Sequence, residues 1–249
     1  MTISTIRSGH CFCLILLTAV AAGCGTAEYE RRVKEYTNAQ PVDSVFTDLY
    51  DKPSPIPGST VQLRLPKNLD QAKAFNESSP DPSGTGKIDA RRVQPPFMKL
   101  SGLKATYEML VPGDAGGPLC YYLYLAALAA GEPPAGGAAL TDSLQQQLTA
   151  AFPAANPKLQ WTDVACQTPS AAKIAWKRIQ VSGDQEFSTG NSGQFKNVPG
   201  TLILYLHEAQ GIRVLIGWRV PNSLEQQAKA DGLAKVMGGT VEVSAAPAP

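Results

Sequence analysis

Apolar and polar residues alternate most cleanly over residues 61–65, Val-Gln-Leu-Arg-Leu, which Pro66 ends; this predicts a half-buried strand. Residues 105–111 predict a second strand, stopped by Pro112-Gly113. Residues 119–128 form the most apolar run of the chain, with Tyr121, Tyr122 and Tyr124 in it, and predict a central strand. The period then changes. Thr141-Asp142 can cap a helix to about residue 152, with Leu140, Leu144, Leu148 and Ala151 on one face. Residues 161–167 and 172–181 return to strand, separated by Thr168-Pro169-Ser170. Residues 202–206 and 212–220 read as a hairpin; in its second arm Ile212, Val214, Ile216 and Trp218 share one face while Arg213 and Arg219 fall on the other. Ser223 can cap a closing helix over residues 224–237, and residues 241–243 add a short strand. Polar stretches at 76–96 and 183–197 are expected to be loops.

This order gives an α+β class, an antiparallel sheet packed with helices, over residues 60–243. Before it, residues 24–59 look like a stalk. A thinly amphipathic helix at 27–36 carries Tyr29, Val33 and Tyr36, and Pro53, Pro55 and Pro57 stiffen the stretch leading into the domain. Residues 244–249 are an Ala/Pro tail expected to be disordered. Apolar residues make up 43% of the chain, with three tryptophans, enough for a real core.

The N-terminus changes the picture most. Arg7 and the α-amino group precede an uncharged apolar stretch over residues 11–22, too short to span a bilayer. The run Val20-Ala21-Ala22-Gly23-Cys24 resembles the bacterial lipobox, with Ala21 where leucine is usual. The resemblance implies that residues 1–23 are a signal peptide and that Cys24 carries acyl chains holding the protein to the lipid bilayer. It also implies a place in the bacterial cell envelope, facing periplasm or exterior. Gly25 after the cysteine favours an outer membrane where there are two. Stable anchoring needs two or more acyl chains.

Removing Arg7, the one charged side chain before Cys24, leaves 21 basic residues from 22, against 21 acidic. No basic cluster exceeds a pair, so a nucleic-acid partner is not expected. With Cys11 and Cys13 gone and Cys24 acylated, only Cys120 and Cys166 remain. Two separate buried thiols are the expected state, with a Cys120–Cys166 disulfide the alternative in an oxidising compartment.

The opening strand, Val61-Gln62-Leu63-Arg64-Leu65-Pro66, resembles the start of the PsbP-like α/β/α sandwich. The closing unit resembles its end: the arm Ile212-Arg213-Val214-Leu215-Ile216-Gly217-Trp218-Arg219-Val220-Pro221, a helix, then Thr240-Val241-Glu242-Val243. Members of that fold act mostly as accessory or assembly proteins, which implies a binding role.

Catalytic chemistry is not apparent. His207, the one histidine of the mature chain, is expected at a hairpin end. Gly190-Asn191-Ser192-Gly193 only approaches a nucleophile elbow. Gly84-Thr85-Gly86-Lys87 lacks the first glycine and the final hydroxyl of a phosphate-binding loop. Glu77, Asp81 and Asp89 match no calcium loop, and no metal or cofactor is expected. With helices covering both faces of the sheet, the expected arrangement, Tyr122 and Tyr124 are core; the alternative is that one face is open, and they and Trp176 line a binding surface. The expected role is therefore a non-enzymatic, membrane-anchored binding or accessory lipoprotein with an envelope protein as partner. The alternatives are a small-molecule or lipid carrier with a pocket between sheet and helix, and an envelope enzyme assembled from distant residues.

Overall fold

The structure, a computed structural model, describes residues 30–32, 45–80, 86–112, 117–129, 132, 137–155, 159–191 and 193–244. The chain divides into two units, residues 1–45 and 46–249. In the first, residues 30–32 are helical. Cys24, the apolar N-terminal run and the rest of the amphipathic segment lie outside the described residues.

The second unit runs β1 (Ser54–Pro55), β2 (Val61–Leu63), β3 (Lys73–Phe75), α1 (Ala90–Val93), β4 (Leu103–Val111), β5 (Leu119–Ala129), α2 (Gly137–Ala151) and β6 (Thr162–Gln167). It continues with β7 (Lys173–Ser188), β8 (Phe195–Ala209), β9 (Ile212–Pro221), α3 (Glu225–Ala228), α4 (Ala230–Gly238) and β10 (Glu242–Val243). Seven strands form one antiparallel sheet in the order β3-β4-β5-β9-β8-β7-β6, and β1-β2-β10 form a small second sheet. The protein is thus α+β, antiparallel sheets packed against a few helices.

The apolar run of β5 explains its place. Every residue of β5 except Ala129 is buried, so both faces are covered, as a strand without a polar face requires. On one face lies α4, which buries Leu233, Ala234 and Met237. A Cβ on Gly238 would come within 2.9 Å of Cys166 Sγ, and one on Gly239 would overlap the Gln167 carbonyl oxygen. Only glycine lets the end of the helix sit that close to β6. α2 closes on the opposite face, where a Cβ on Gly183 would meet the Phe152 ring at 2.8 Å.

Several boundaries differ from the sequence reading. The folded unit begins at Phe46, not residue 60: Leu49 and Ile56 are buried, and β1 pairs with β2. Pro55 and Pro57 of that stretch stay exposed, while Ile56 between them packs into the unit. Residues 183–197, expected to be a loop, are mostly strand, because β7 and β8 pair continuously from Lys177↔Leu206 to Ser188↔Phe195. Within residues 76–96, Asp89 caps α1 by accepting from the Arg91 backbone amide at 2.9 Å. The closing helix breaks at Lys229, which takes a left-handed φ of 46° between α3 and α4.

Candidate functional site

Strand register brings together what the sequence scatters. Tyr122 in β5 lies opposite Glu108 of β4 on one side and Arg219 of β9 on the other. All three are buried. α1 supplies the fourth member: Arg92 Nε and Nη2 donate to the two Glu108 oxygens at 2.8 and 2.5 Å. This bidentate pair satisfies Glu108 and raises the Arg92 pKa, chiefly through the hydrogen bond. α1 is itself pinned here, since Thr106 Oγ1 donates to the Val93 carbonyl at 2.6 Å.

Arg219 is treated differently. It is 0% exposed, and its Nη2 donates to the Arg91 carbonyl at 3.1 Å. Its Nε and Nη1 have no hydrogen-bond partner, and no described carboxylate lies within 4.0 Å. The guanidinium instead lies over two rings, 4.3 Å from the Tyr122 centroid and 5.2 Å from that of Phe187. Tyr124, stacked beside Tyr122, also has a hydroxyl without a partner.

The cover over this cluster is the far half of the β7–β8 hairpin. β6 opposes β7 only as far as Arg178, and β9 opposes β8 only from Gly200. Beyond the Gly183↔Gly200 pair the two strands pair only with each other. The resulting ribbon lays Phe187 against Tyr122 and lets the Ser188 amide donate to the Tyr122 hydroxyl at 3.3 Å. Arg91 holds it from outside, through Glu186 at 3.5 Å and the Phe195 ring at 3.8 Å. Asp89 in turn orients Arg91, whose hydrogen bonds hold the Asp89 carboxyl below the usual carboxylate range.

On its outer side α1 borders a cleft of about 560 Å3, with Ile88, Ala90, Val93, Pro95 and Pro96 as apolar lining and Arg91 at its rim. α1 therefore separates an open cleft from a sealed cluster.

The residues singled out from sequence separate cleanly. Tyr122, Tyr124 and Trp176 are at most 2% exposed and do not form one surface. Trp176 belongs to the α4 face, edge-on to Tyr205, so the condition under which the tyrosines are core is the one met. Cys120 and Cys166 are free buried thiols on opposite faces, which replaces the disulfide alternative. Burial pushes both thiols up to about 12. His207 sits within β8 opposite Val214, stacked on Trp176 with Nδ1 2.8 Å from the Ala175 carbonyl. Among the described residues no three His, Cys, Asp or Glu side chains could share a metal, and no helix is long and apolar enough to cross a membrane. Cys24 lies outside the described residues.

Sequence reasoning placed Arg219 off the apolar face of its strand; that face is buried too, which puts the guanidinium in the core. Arg92 and Glu108 carried no signal, being ordinary charged residues in an expected loop and an expected strand.

No family model matches the chain, and no curated protein matches it. Among solved structures it is similar to the solution structure of cyanobacterial PsbP (CyanoP) from Synechocystis sp. PCC 6803. The TM-score is 0.37 and the identity 7%, over 78% of this chain and 92% of that one. It is also similar to a crystal structure from Bacteroides thetaiotaomicron VPI-5482, with a TM-score of 0.27 and 12% identity over 56% of this chain and 45% of that one.

Proposed function

We propose that the protein is a membrane-tethered, non-catalytic binding lipoprotein of the cell envelope, held by acylated Cys24 and acting through its folded unit on an envelope protein. The observation that carries the binding half is the open cleft beside α1. Its volume of about 560 Å3 and its apolar lining with an ionisable rim suit recognition. Within the sheet, Glu108 is engaged by Arg92 and burial seals both thiols, so none of these three is free for acid–base or nucleophilic work. The PsbP-like resemblance of the opening strand and closing unit belongs to the same reading. The tether half rests on the lipobox-like run ending at Cys24.

The test compares wild type with Cys24→Ala, both expressed in a bacterium. Wild type should gain the mass of a diacylglyceryl group and pellet with membranes, and the variant should do neither. Crosslinking from the cleft, through a photoreactive residue at Lys87, should then capture a protein partner. Two soluble, unmodified proteins would remove the tether; turnover of a substrate at ordinary enzymatic rates would remove the non-catalytic role.

A further inference from the structure

We propose that the sheet face beneath the β7–β8 ribbon is a binding site for a small aromatic carboxylic acid, closed in this structure by Phe187. The site is independent of the tether.

The charge balance is uneven. Two buried guanidinium groups, Arg92 and Arg219, face one carboxylate, Glu108, which Arg92 already satisfies on both oxygens. One positive charge is left over, on a side chain that is 0% exposed. Three donors lack acceptors there: Arg219 Nε, Arg219 Nη1 and the Tyr124 hydroxyl. A buried charge without a counter-ion is costly, and ring faces compensate only in part. An entering carboxylate would accept from the two unpartnered Arg219 donors and neutralise the excess.

The surroundings specify the rest of the ligand. Phe187 is 0% exposed, stacked on Tyr122 with centroids 6.5 Å apart and beside Arg219. It fills the place of an aromatic ring but brings no acceptor. A ring that carries a carboxylate replaces it and adds what it lacks. Inorganic phosphate offers the charge without the ring, so the aromatic walls favour an aryl acid.

Access is built into the ribbon. Past Gly183↔Gly200 it is a two-stranded hairpin, a structure marginally stable by itself. The two glycines lie opposite each other where it leaves the sheet, so no side-chain pair stiffens that point. A Cβ on Gly200 would meet the Phe187 ring at 2.5 Å, so the same glycine lets the ring fold down. Gln185 holds the Gly200 carbonyl through its Nε2 at 3.0 Å and leaves its Oε1 without a partner.

The experiment is calorimetric titration of the full chain in detergent micelles with sodium benzoate, benzyl alcohol or inorganic phosphate at matched ionic strength. Benzoate should bind about tenfold or more tightly than benzyl alcohol, because a hydrogen bond to a charged group is worth about that factor, and more tightly than phosphate, which has no ring to bury against Tyr122. Arg219→Met should lose about tenfold or more. Phe187→Ala should gain affinity, because it relieves the population penalty of a closed site. Equal binding of benzoate and benzyl alcohol to wild type would show that charge is not read and would overturn the proposal without any variant. Phosphate binding as tightly as benzoate would overturn the aromatic class. Benzoate binding unchanged in Arg219→Met, or no binding of benzoate by either wild type or Phe187→Ala, would overturn the site itself.

Discussion

Under α4 the charged groups sit at the rim. Asp231 accepts from Arg178 Nε at 2.7 Å and from the Tyr205 hydroxyl at 2.9 Å, and Lys235 lies 3.1 Å away on the next turn. The Asp231 side chain is 37% exposed, and beneath it Trp176, Trp218 and Ile216 pack without any charge. On the opposite face the charges lie in the middle: Arg92, Glu108 and Arg219 are all within 3% of complete burial, and aromatic rings surround them. One sheet therefore shows both ways of placing charge against a core. The rim network stays partly hydrated and costs little to assemble, whereas the central cluster is desolvated and depends on complete pairing. The α4 face keeps charge out of its core, though it buries the Trp176 and Trp218 indole N–H groups without partners. The opposite face spends stability on an arrangement that stability alone does not require.

Breaking the buried pair should produce the largest effect. Glu108→Ala leaves Arg92 charged and unpaired beside Arg219, and should cost about 3–5 kcal/mol in denaturant unfolding. The double variant Arg92→Met, Glu108→Leu should recover most of that loss, because a buried ion pair replaced by apolar groups is often neutral or better. A Glu108→Ala loss as small as that at the rim would erase the distinction between the faces.

The thiols give a readout on both faces at once. Cys120 and Cys166 should resist alkylation at pH 8 in the native mature protein, and both should label in denaturant, as peptide mass mapping would show. Their folded pKa values are raised to about 12 by burial, from an ordinary value near 9. A raised pKa stabilises fully below the unfolded value, so stability should fall as pH rises from about 9 toward 12. Cys120→Ala and Cys166→Ala should each remove part of that alkaline decline. Native labelling of Cys120 alone would mean that the ribbon opens readily while α4 stays shut.

The α4 face was largely legible in the sequence, and the opposite face was not. The run at 119–128 announced β5, and the alternation at 212–220 announced β9 with Trp218 inward and Arg219 on the other side. Those signals are local. The ribbon was missed because Gly183, Asp184, Gly190 and the polar residues between them read as loop, and only pairing between β7 and β8 makes them strand. Leu49 and Ile56 were missed for a related reason: β1 is two residues long, and its partner β2 is held on its other edge by β10, far along the chain. The Glu108–Tyr122–Arg219 row depends on three strands in register, which no local pattern encodes.

A smaller effect is expected at the rim in acid. Burial alone would raise the Asp231 pKa, but hydrogen bonds from Arg178, Tyr205 and Lys235 outweigh it and leave the group below its ordinary value. A depressed carboxylate pKa stabilises above the unfolded value, near 4, and that stability is lost as pH falls through the folded value. Asp231→Ala should therefore cost about 1 kcal/mol at pH 7, allowing for solvent screening, and nearly nothing at pH 2. An equal cost at both values would mean that packing, not charge, holds α4 to the sheet.

The smallest change separates the faces by sign. Tyr205 donates to Asp231, whereas the Tyr124 hydroxyl is buried with no partner. Tyr205→Phe removes a made hydrogen bond to a charged acceptor and should cost about 1 kcal/mol. Tyr124→Phe removes one atom that is desolvated and unpaired, so it should be neutral or raise stability by up to about 1 kcal/mol. Both substitutions keep the ring and its aromatic contact, edge-on to Trp176 in one case and stacked on Tyr122 in the other, so packing cancels in the comparison. Paired urea curves at pH 7 would read the two differences on one scale. A loss at Tyr124 equal to that at Tyr205 would mean that its hydroxyl has a partner in solution, such as a trapped water, and that the face beneath the ribbon is as fully satisfied as the rim.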